Sequence, residues 1–575
     1  MNFAAIAGGV CEFILQNPAP SCIFGGSLDC HDTSGDNNVP PLTIFHVDMN
    51  FVCYRQDYLR SLLARIAKMG YNAVLWELED KVQLDTCPDA CWSEAMSKKQ
   101  FASILNYSQE LGLEPIPLLQ TVGHGEYIMK HPSYAHLRVQ PDRIDCYCTS
   151  SQQAKDFLRT LTAEYMDLFG KVRYFHFGGD EAYVFATCPK CRSAAQSIGP
   201  NKLYANHIKE VAAPAIAAGA RPGIWCDMVM HHPDQVEAID KNFVIWDWNY
   251  WDNDQSPKQA RIWGEGWRNL EKIDSALLKK IPELLDENGR IRSFYAVDML
   301  KRLGYEVVLC SSSRCGLESL FCPRHGLHVG NIAGAAKKAA NTGILGHCVT
   351  SWAVRINSLD LQELLLALEP AARNNPDTSA DEAAAIAGKD LFGVDPSDFI
   401  KAADMISQYF VFGVSGSQVG SGIQWNRLKD STLPPKDYAF KCMRFWRETD
   451  DENLSYPHLK QQLLDARGPI TEGIELMKQF SLKVTTQRGR EVVAQWLLAG
   501  DMQLKMNDLG QELFAIFENR ATRGADEMIS LSKSLRRQFT DWALTWMTPE
   551  CAQHNASLIF DHLIEAFEEG CLQSA

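Results

Sequence analysis

Two spacings of apolar residues divide the chain. From about residue 40 to residue 355, short runs rich in Val, Ile, Leu and aromatic residues alternate with segments whose apolar positions recur at helical spacing. The runs predict strands at 43–48, 72–78, 114–119, 173–178, 223–227, 243–248, 305–310 and 343–349. Amphipathic helices are expected between them, for instance over 55–69, 97–111, 151–169 and 203–218. Eight strand–helix units point to an α/β protein built on a (β/α)8 barrel. A doubly wound sheet is the alternative. Polar or aromatic residues at nearly every C-terminal strand end favour the barrel, because that is where barrels carry their reactive groups.

Beyond residue 358 the strand-like alternation disappears. Runs at 380–391, 395–411, 434–449 and 485–507 have helical periodicity, and no heptad register is sustained. The expected organisation is an N-terminal extension (1–38), a catalytic barrel (39–375) and a C-terminal helical domain (376–575).

Composition narrows the function. Of 575 residues, 46% are hydrophobic and 22% charged, enough apolar content for two or three globular domains. A formal net charge of −15 argues against nucleic acid as a partner, since phosphate binding needs clustered Lys and Arg. No apolar run has the length of a membrane span. Residues 1–16 are apolar but contain no Lys or Arg, so the basic start of a secretory signal is not seen. With 18 cysteines and no such signal, the expectation is a cytoplasmic protein with reduced thiols; the alternative is the mature form of an exported one.

The candidate chemistry sits at the strand ends. Strand two ends in Glu77, Glu79 and Asp80; strand three is followed by Gly123-His124-Gly125-Glu126. Strand four runs Arg173-Tyr-Phe-His-Phe-Gly-Gly-Asp180-Glu181. The glycines permit a sharp turn, and two adjacent carboxylates at one strand end require a compensating partner or a displaced pKa. Strand five offers Trp225 and Asp227, strand six Trp246, Trp248, Tyr250 and Trp251, and strand eight Trp352. Indole faces stack on the C–H faces of sugar rings, so an acidic mouth lined with tryptophan suggests a carbohydrate substrate.

Cysteines form a second constellation. Cys87-x3-Cys91 follows strand two, Cys146-Tyr-Cys148 follows strand three, and Cys188-Pro-Lys-Cys191 follows strand four. All three pairs fall on one face of a barrel. Paired thiolates on neighbouring loops are what a structural zinc site needs, and Cys87, Cys91, Cys188 and Cys191 are the expected ligands. Cys146 and Cys148 could replace one pair, and buried reduced thiols are the alternative. No cofactor is expected for the chemistry itself.

His176-Phe177-Gly178-Gly179-Asp180-Glu181 resembles the His-x-Gly-Gly-Asp-Glu signature of glycoside hydrolase family 20, the β-N-acetylhexosaminidases. Leu78-Glu79-Asp80, Gly123-His124 and Thr350-Ser351-Trp352 extend the resemblance over about residues 40–356. The chain looks like the compact subgroup in which a helical domain follows the barrel. The resemblance implies an exo-acting, retaining hydrolase of glycans with a terminal β-linked N-acetylhexosamine, in which the substrate's own acetamido oxygen is the nucleophile. Glu181 would be the general acid and then the base, Asp180 would hold the acetamido N–H, and Asp80 and His124 would form a relay behind Glu181. Tyr250 would bind the acetamido carbonyl, and Trp225, Trp246 and Trp352 would wall the pocket. Other retaining glycosidases with a carboxylate nucleophile, or a glycan-binding protein without activity, are the competing classes.

The chain departs from the family in three places. Strand seven continues Cys310-Ser-Ser-Ser-Arg314 and lacks the usual Tyr-x-Asp. The common arginine at the start of strand one is missing, and that strand ends in Asp48. After Trp352, where an acid is usual, stand Val354 and Arg355. The charges look exchanged, with Arg355 and either Asp48 or Glu79 gripping the outer hydroxyls of the sugar. A charged donor of this kind contributes about 1.5–3 kcal/mol. Arg355→Ala is therefore expected to lower kcat/KM for an aryl N-acetylhexosaminide by roughly ten- to a hundred-fold; an unchanged value refutes the exchange.

Overall fold

The computed structural model describes residues 41–315, 318–352, 358–408, 436–450, 455–520 and 523–568. The N-terminal extension and Arg355 lie outside the described residues. Residues 41–575 group as one compact unit.

Among the described residues there are ten strands: β1 (Leu42–Asp48), β2 (Ala73–Glu77), β3 (Glu114–Leu118), β4 (Tyr174–His176), β5 (Arg221–Trp225), β6 (Val244–Trp248), β7 (Gln259–Ile262), β8 (Gly266–Asn269), β9 (Glu306–Arg314) and β10 (Gly346–Ser351). Eight of them close a barrel in the order β1-β10-β9-β6-β5-β4-β3-β2, with every pairing parallel. The barrel and all eight of its expected strands are thus present, and the doubly wound alternative is excluded. The β7–β8 hairpin was not expected. Its strands are four residues long and half polar, below what periodicity can reveal.

Strand alternation sorts the barrel residues into two compartments. Leu42, Ile44, Ala73, Leu75, Ile116, Leu118, Val244, Val308, Cys310 and Cys348 fill the interior together with Trp225 and Trp246. Their odd neighbours, such as Phe45, Val47, Val74, Trp76, Phe175, Ile224, Ile245 and Val349, face the surrounding helices. Toward the C-terminal strand ends the interior turns polar. His46 Nε2 lies 3.0 Å from Glu77 Oε2, and Gln120 Nε2 donates to Glu77 Oε1 at 2.7 Å. This buried polar layer carries the site.

After β10 the described residues hold helices at Glu363–Asn374, Ala380–Phe392, Ser397–Ser407, Tyr438–Glu448, Tyr456–Ser481, Gln487–Phe517, Ala525–Ala543 and Pro549–Glu568, and no strand. They share one apolar core with the barrel's outer layer, and residue 375 falls between two helices, Glu363–Asn374 and Ala380–Phe392, within that packing. Ionic contacts reinforce the junction. Asp360 and Glu363 each bind both Arg65, from the helix after β1, and Arg488. The last helix returns to the loops after β1 and β2: Asn555 Nδ2 donates to Phe51 O at 3.0 Å, and Glu94 Oε2 accepts from Glu550 N at 2.9 Å at that helix's first turn. Among the described residues, no helix is long and apolar enough to cross a membrane.

Candidate active site

The acidic pair is placed by a sharp turn at the end of β4. Gly178 takes φ +59°, and a Cβ there would lie 2.0 Å from Gln120 Oε1, so no side chain fits. The loop after β3 then presses against the acid-bearing backbone. A Cβ on Gly123 would sit 2.2 Å from Asp180 O. This close approach delivers the next residue, His124, to both acids: its Nε2 lies 3.3 Å from Asp180 Oδ2 and 3.6 Å from Glu181 Oε2.

Backbone strain concentrates here. Glu181 (φ 45°), His124 (φ 54°) and Glu79 (φ 46°) occupy the left-handed region that side chains disfavour. Such residues cost about 1–3 kcal/mol each and persist where the surroundings hold them.

The charges explain the arrangement. Burial opposes a charge on His124, yet the neighbouring Asp180 carboxylate, with Glu126 and Glu181, holds its pKa well above the usual imidazole range. His124 is therefore the cation that lets two adjacent carboxylates coexist. Asp180 is buried, and its Oδ1 has no hydrogen-bond partner. Glu181 is the more open of the two, with its side chain 39% exposed. Tyr183, itself exposed, donates its hydroxyl to Glu181 Oε1 at 2.8 Å.

Asp227, just past β5, completes the cluster. Its Oδ2 accepts the backbone N–H of Glu181 at 2.9 Å and its Oδ1 accepts Trp248 Nε1 at 3.2 Å. It is a positioning group for the acid loop. Sequence reading noted it at a strand end but gave it no role, because the contact to Glu181 spans 46 residues. Tyr183 left no signal in the sequence at all.

The other expected site residues divide. His124, Asp180 and Glu181 meet as expected. Asp80 does not join them as a relay: it is buried in ion pairs with Lys81 and, at 3.5 Å, Lys130. Two ammonium groups on the same loops outcompete a partly exposed imidazole for this carboxylate, and the imidazole turns to Asp180. Trp225 and Trp246 are fully enclosed and pack against His176, tilted and edge-on respectively, with ring centroids 4.3 and 4.8 Å away. Their side chains follow the inward face of their strands, so they form the bed on which Trp352 packs, 5.8 Å from Trp225, and do not themselves line an open pocket. Trp352 is half-buried, and its Nε1 donates to the Tyr250 hydroxyl at 2.9 Å. Tyr250 in turn lies 5.3 Å from Trp248. Asp48 and Glu79 are both buried, and Asp48 Oδ1 accepts Asn50 N at 2.7 Å.

The cysteines also regroup. Cys148, Cys188 and Cys191 come together, whereas Cys87 and Cys91 turn back on their own loop, where Cys91 Sγ faces Cys87 O and Leu84 O. The ligand set expected from sequence is thus corrected. Because β3 lies between β2 and β4, the segment after β3, not the one after β2, is the neighbour of the β4 loop.

Burial, then the charge of Asp180, pushes the Asp227 carboxyl from the usual range up to about 7. A group with a raised folded-state pKa stabilises the fold below its unfolded pKa, and that stability is lost as pH rises through the folded value. Asp227→Asn cannot titrate. Between about pH 4 and about pH 7, its unfolding free energy is expected to gain steadily on wild type in parallel denaturant titrations. A difference that does not change with pH contradicts the assignment.

Comparison with known proteins agrees with this geometry. The model of the glycosyl hydrolase family 20 catalytic domain matches residues 72–268. The chain is 27% identical over 199 residues to hexosaminidase D of Bos taurus, covering 34% of this chain and 57% of that protein. It is likewise 27% identical over 207 residues to hexosaminidase D of Homo sapiens, covering 34% and 42%. The matched regions thus span about half the length of these curated relatives. Among solved structures, the chitobiase of Flavobacterium johnsoniae superposes with a TM-score of 0.44 at 15% identity, covering 90% of this chain and 77% of that one. The segment that matches the glycosyl hydrolase family 20 catalytic domain, residues 72–268, is the one that carries His124, Asp180, Glu181 and Asp227.

Proposed function

We propose that the protein is an exo-acting, retaining β-N-acetylhexosaminidase that releases terminal β-linked N-acetylglucosamine or N-acetylgalactosamine from glycans. The observation that carries this reading is the Asp180–Glu181 pair around His124, with the buried Asp180 Oδ1 still lacking a donor. A buried carboxylate oxygen without a partner is costly, and the acetamido N–H of a bound substrate would satisfy it.

The reaction follows from the positions of the two acids. Asp180 is too close to Glu181 to act as a separate nucleophile from the opposite sugar face. It can instead orient the substrate's acetamido group, whose oxygen attacks the anomeric carbon as the glycosidic bond breaks. Glu181 gives its proton to the leaving oxygen. The positive charge that develops on the oxazolinium ring is balanced by Asp180. Glu181, now ionised, removes a proton from the water that opens the ring, and retention results from two inversions. Tyr250 would donate to the acetamido carbonyl, and Trp352 would stack on the sugar. His124 keeps the pair from repelling. Arg355, with Asp48 or Glu79, would grip the outer hydroxyls. The cysteine usage supports a cytoplasmic setting; the described cysteines are all free thiols.

Two measurements test the reading. A nitrophenyl β-N-acetylglucosaminide should be hydrolysed, while the plain β-glucoside with the same leaving group should be nearly inert. Comparable rates on both would mean that an enzyme carboxylate, not the substrate, attacks. Separately, Glu181→Gln should lose roughly 10²–10⁴-fold in kcat on a disaccharide whose leaving group needs a proton. Near wild-type turnover by that variant would remove Glu181 from the acid role.

A further inference from the structure

A cluster of sulfur atoms stands beside the acid loop. Cys148 follows β3, and Cys188 and Cys191 open the helix Pro189–Ile198 that leaves the acid loop. Cys148 Sγ is 3.7 Å from Cys188 Sγ and 3.6 Å from Cys191 Sγ, and all three lie within 4.8 Å of one another. Thiolates about 2.3 Å from a tetrahedral zinc stand about 3.8 Å apart, so the observed separations match the edges of such a tetrahedron.

The surroundings suit thiolates. Cys188 is the helix N-cap, and its Sγ accepts the backbone N–H of Cys191 at 3.3 Å, where the helix dipole favours negative charge. The Thr149 hydroxyl lies 3.6 Å from Cys191 Sγ. Cys87 and Cys146 do not belong to the cluster. A second group of possible ligands, Cys315, Glu318 and His328, is already neutralised, since Arg314 Nη1 lies 3.2 Å and His328 Nε2 2.5 Å from the Glu318 carboxylate.

We propose that Cys148, Cys188 and Cys191 bind one zinc ion that ties the loop after β3 to the loop carrying Asp180 and Glu181. No fourth side chain among the described residues joins the cluster, so water completes the tetrahedron, reached past the half-buried Cys188. The role is structural. His124 comes from the loop after β3 and the acids from the loop after β4, and a metal bridging the two loops fixes the spacing between them. Binding displaces thiol protons, so occupancy falls in acid.

The test uses the full chain purified without a metal-affinity tag, in one portion as isolated and in another after incubation with zinc and desalting. Elemental analysis should find close to one zinc per chain in the second portion. Cys148→Ser, Cys188→Ser and Cys191→Ser should each lose it, while Cys87→Ser and Cys91→Ser should keep it. Should the first three variants fail to fold, wild-type protein decides: a strong chelator should release the zinc, expose these three thiols to a labelling reagent and lower Tm. Absence of stoichiometric zinc from wild type after incubation overturns the proposal. So does zinc retained by Cys148→Ser, or a disulfide between Cys148 and either partner in the reduced-buffer preparation.

Discussion

Three carboxylates, Asp180, Glu181 and Asp227, converge on a buried corner of the barrel mouth, and a single imidazole, His124, faces two of them. Like charges this close cannot all ionise in a medium of low polarity without a cation or a shared proton. The site uses both remedies. His124 is held protonated by its neighbours, and Asp227 keeps its proton up to about pH 7. Everything that fixes the position of His124 therefore also fixes the charge balance of the site. That explains why the β3 and β4 loops are packed so tightly that Gly123 has no room for a side chain.

The barrel supplies the rigid frame for this balance. Its interior is apolar at one end and polar at the other, with His46, Glu77 and Gln120 bonded beneath the site and His176 wedged against Trp225 and Trp246. A close-packed layer of large rings, tied by the hydrogen bonds to Glu77, yields little, so the turn at Gly178 and the left-handed backbone of His124 and Glu181 are held in place. Trp352 and Tyr250, linked by a hydrogen bond, are partly open at the upper edge.

The helical region braces the side of the barrel where β1 and β10 meet. The Arg65–Asp360–Glu363–Arg488 cluster and the return of the last helix to Phe51 and Glu94 anchor the strand ends opposite the acid loops. A buried ion cluster of this kind adds little net stability, but it fixes which faces pack together. The zinc proposed at Cys148, Cys188 and Cys191 would do the corresponding job on the catalytic side.

Sequence by itself determined the elements and the core chemistry. Short apolar and aromatic runs marked all eight barrel strands, helical spacing marked the region after them, and Gly-Gly-Asp-Glu at a strand end marked the acids. These are local signals, carried by residues within a few positions of one another. Tertiary structure decided what no local signal carries. Asp80 was legible as a strand-end acid, but only the fold shows it surrounded by Lys81 and Lys130 instead of backing His124. Trp225 and Trp246 were legible as strand-end aromatics, but their burial depends on how the neighbouring strands fill the barrel. Asp227 reaches Glu181, and Cys148 replaces Cys87 and Cys91, because strand order in a closed barrel makes neighbours of loops far apart in the chain. Spacing along a sequence encodes which face a side chain takes; which side chain it meets there is set by the sheet order, and that is a property of the folded chain.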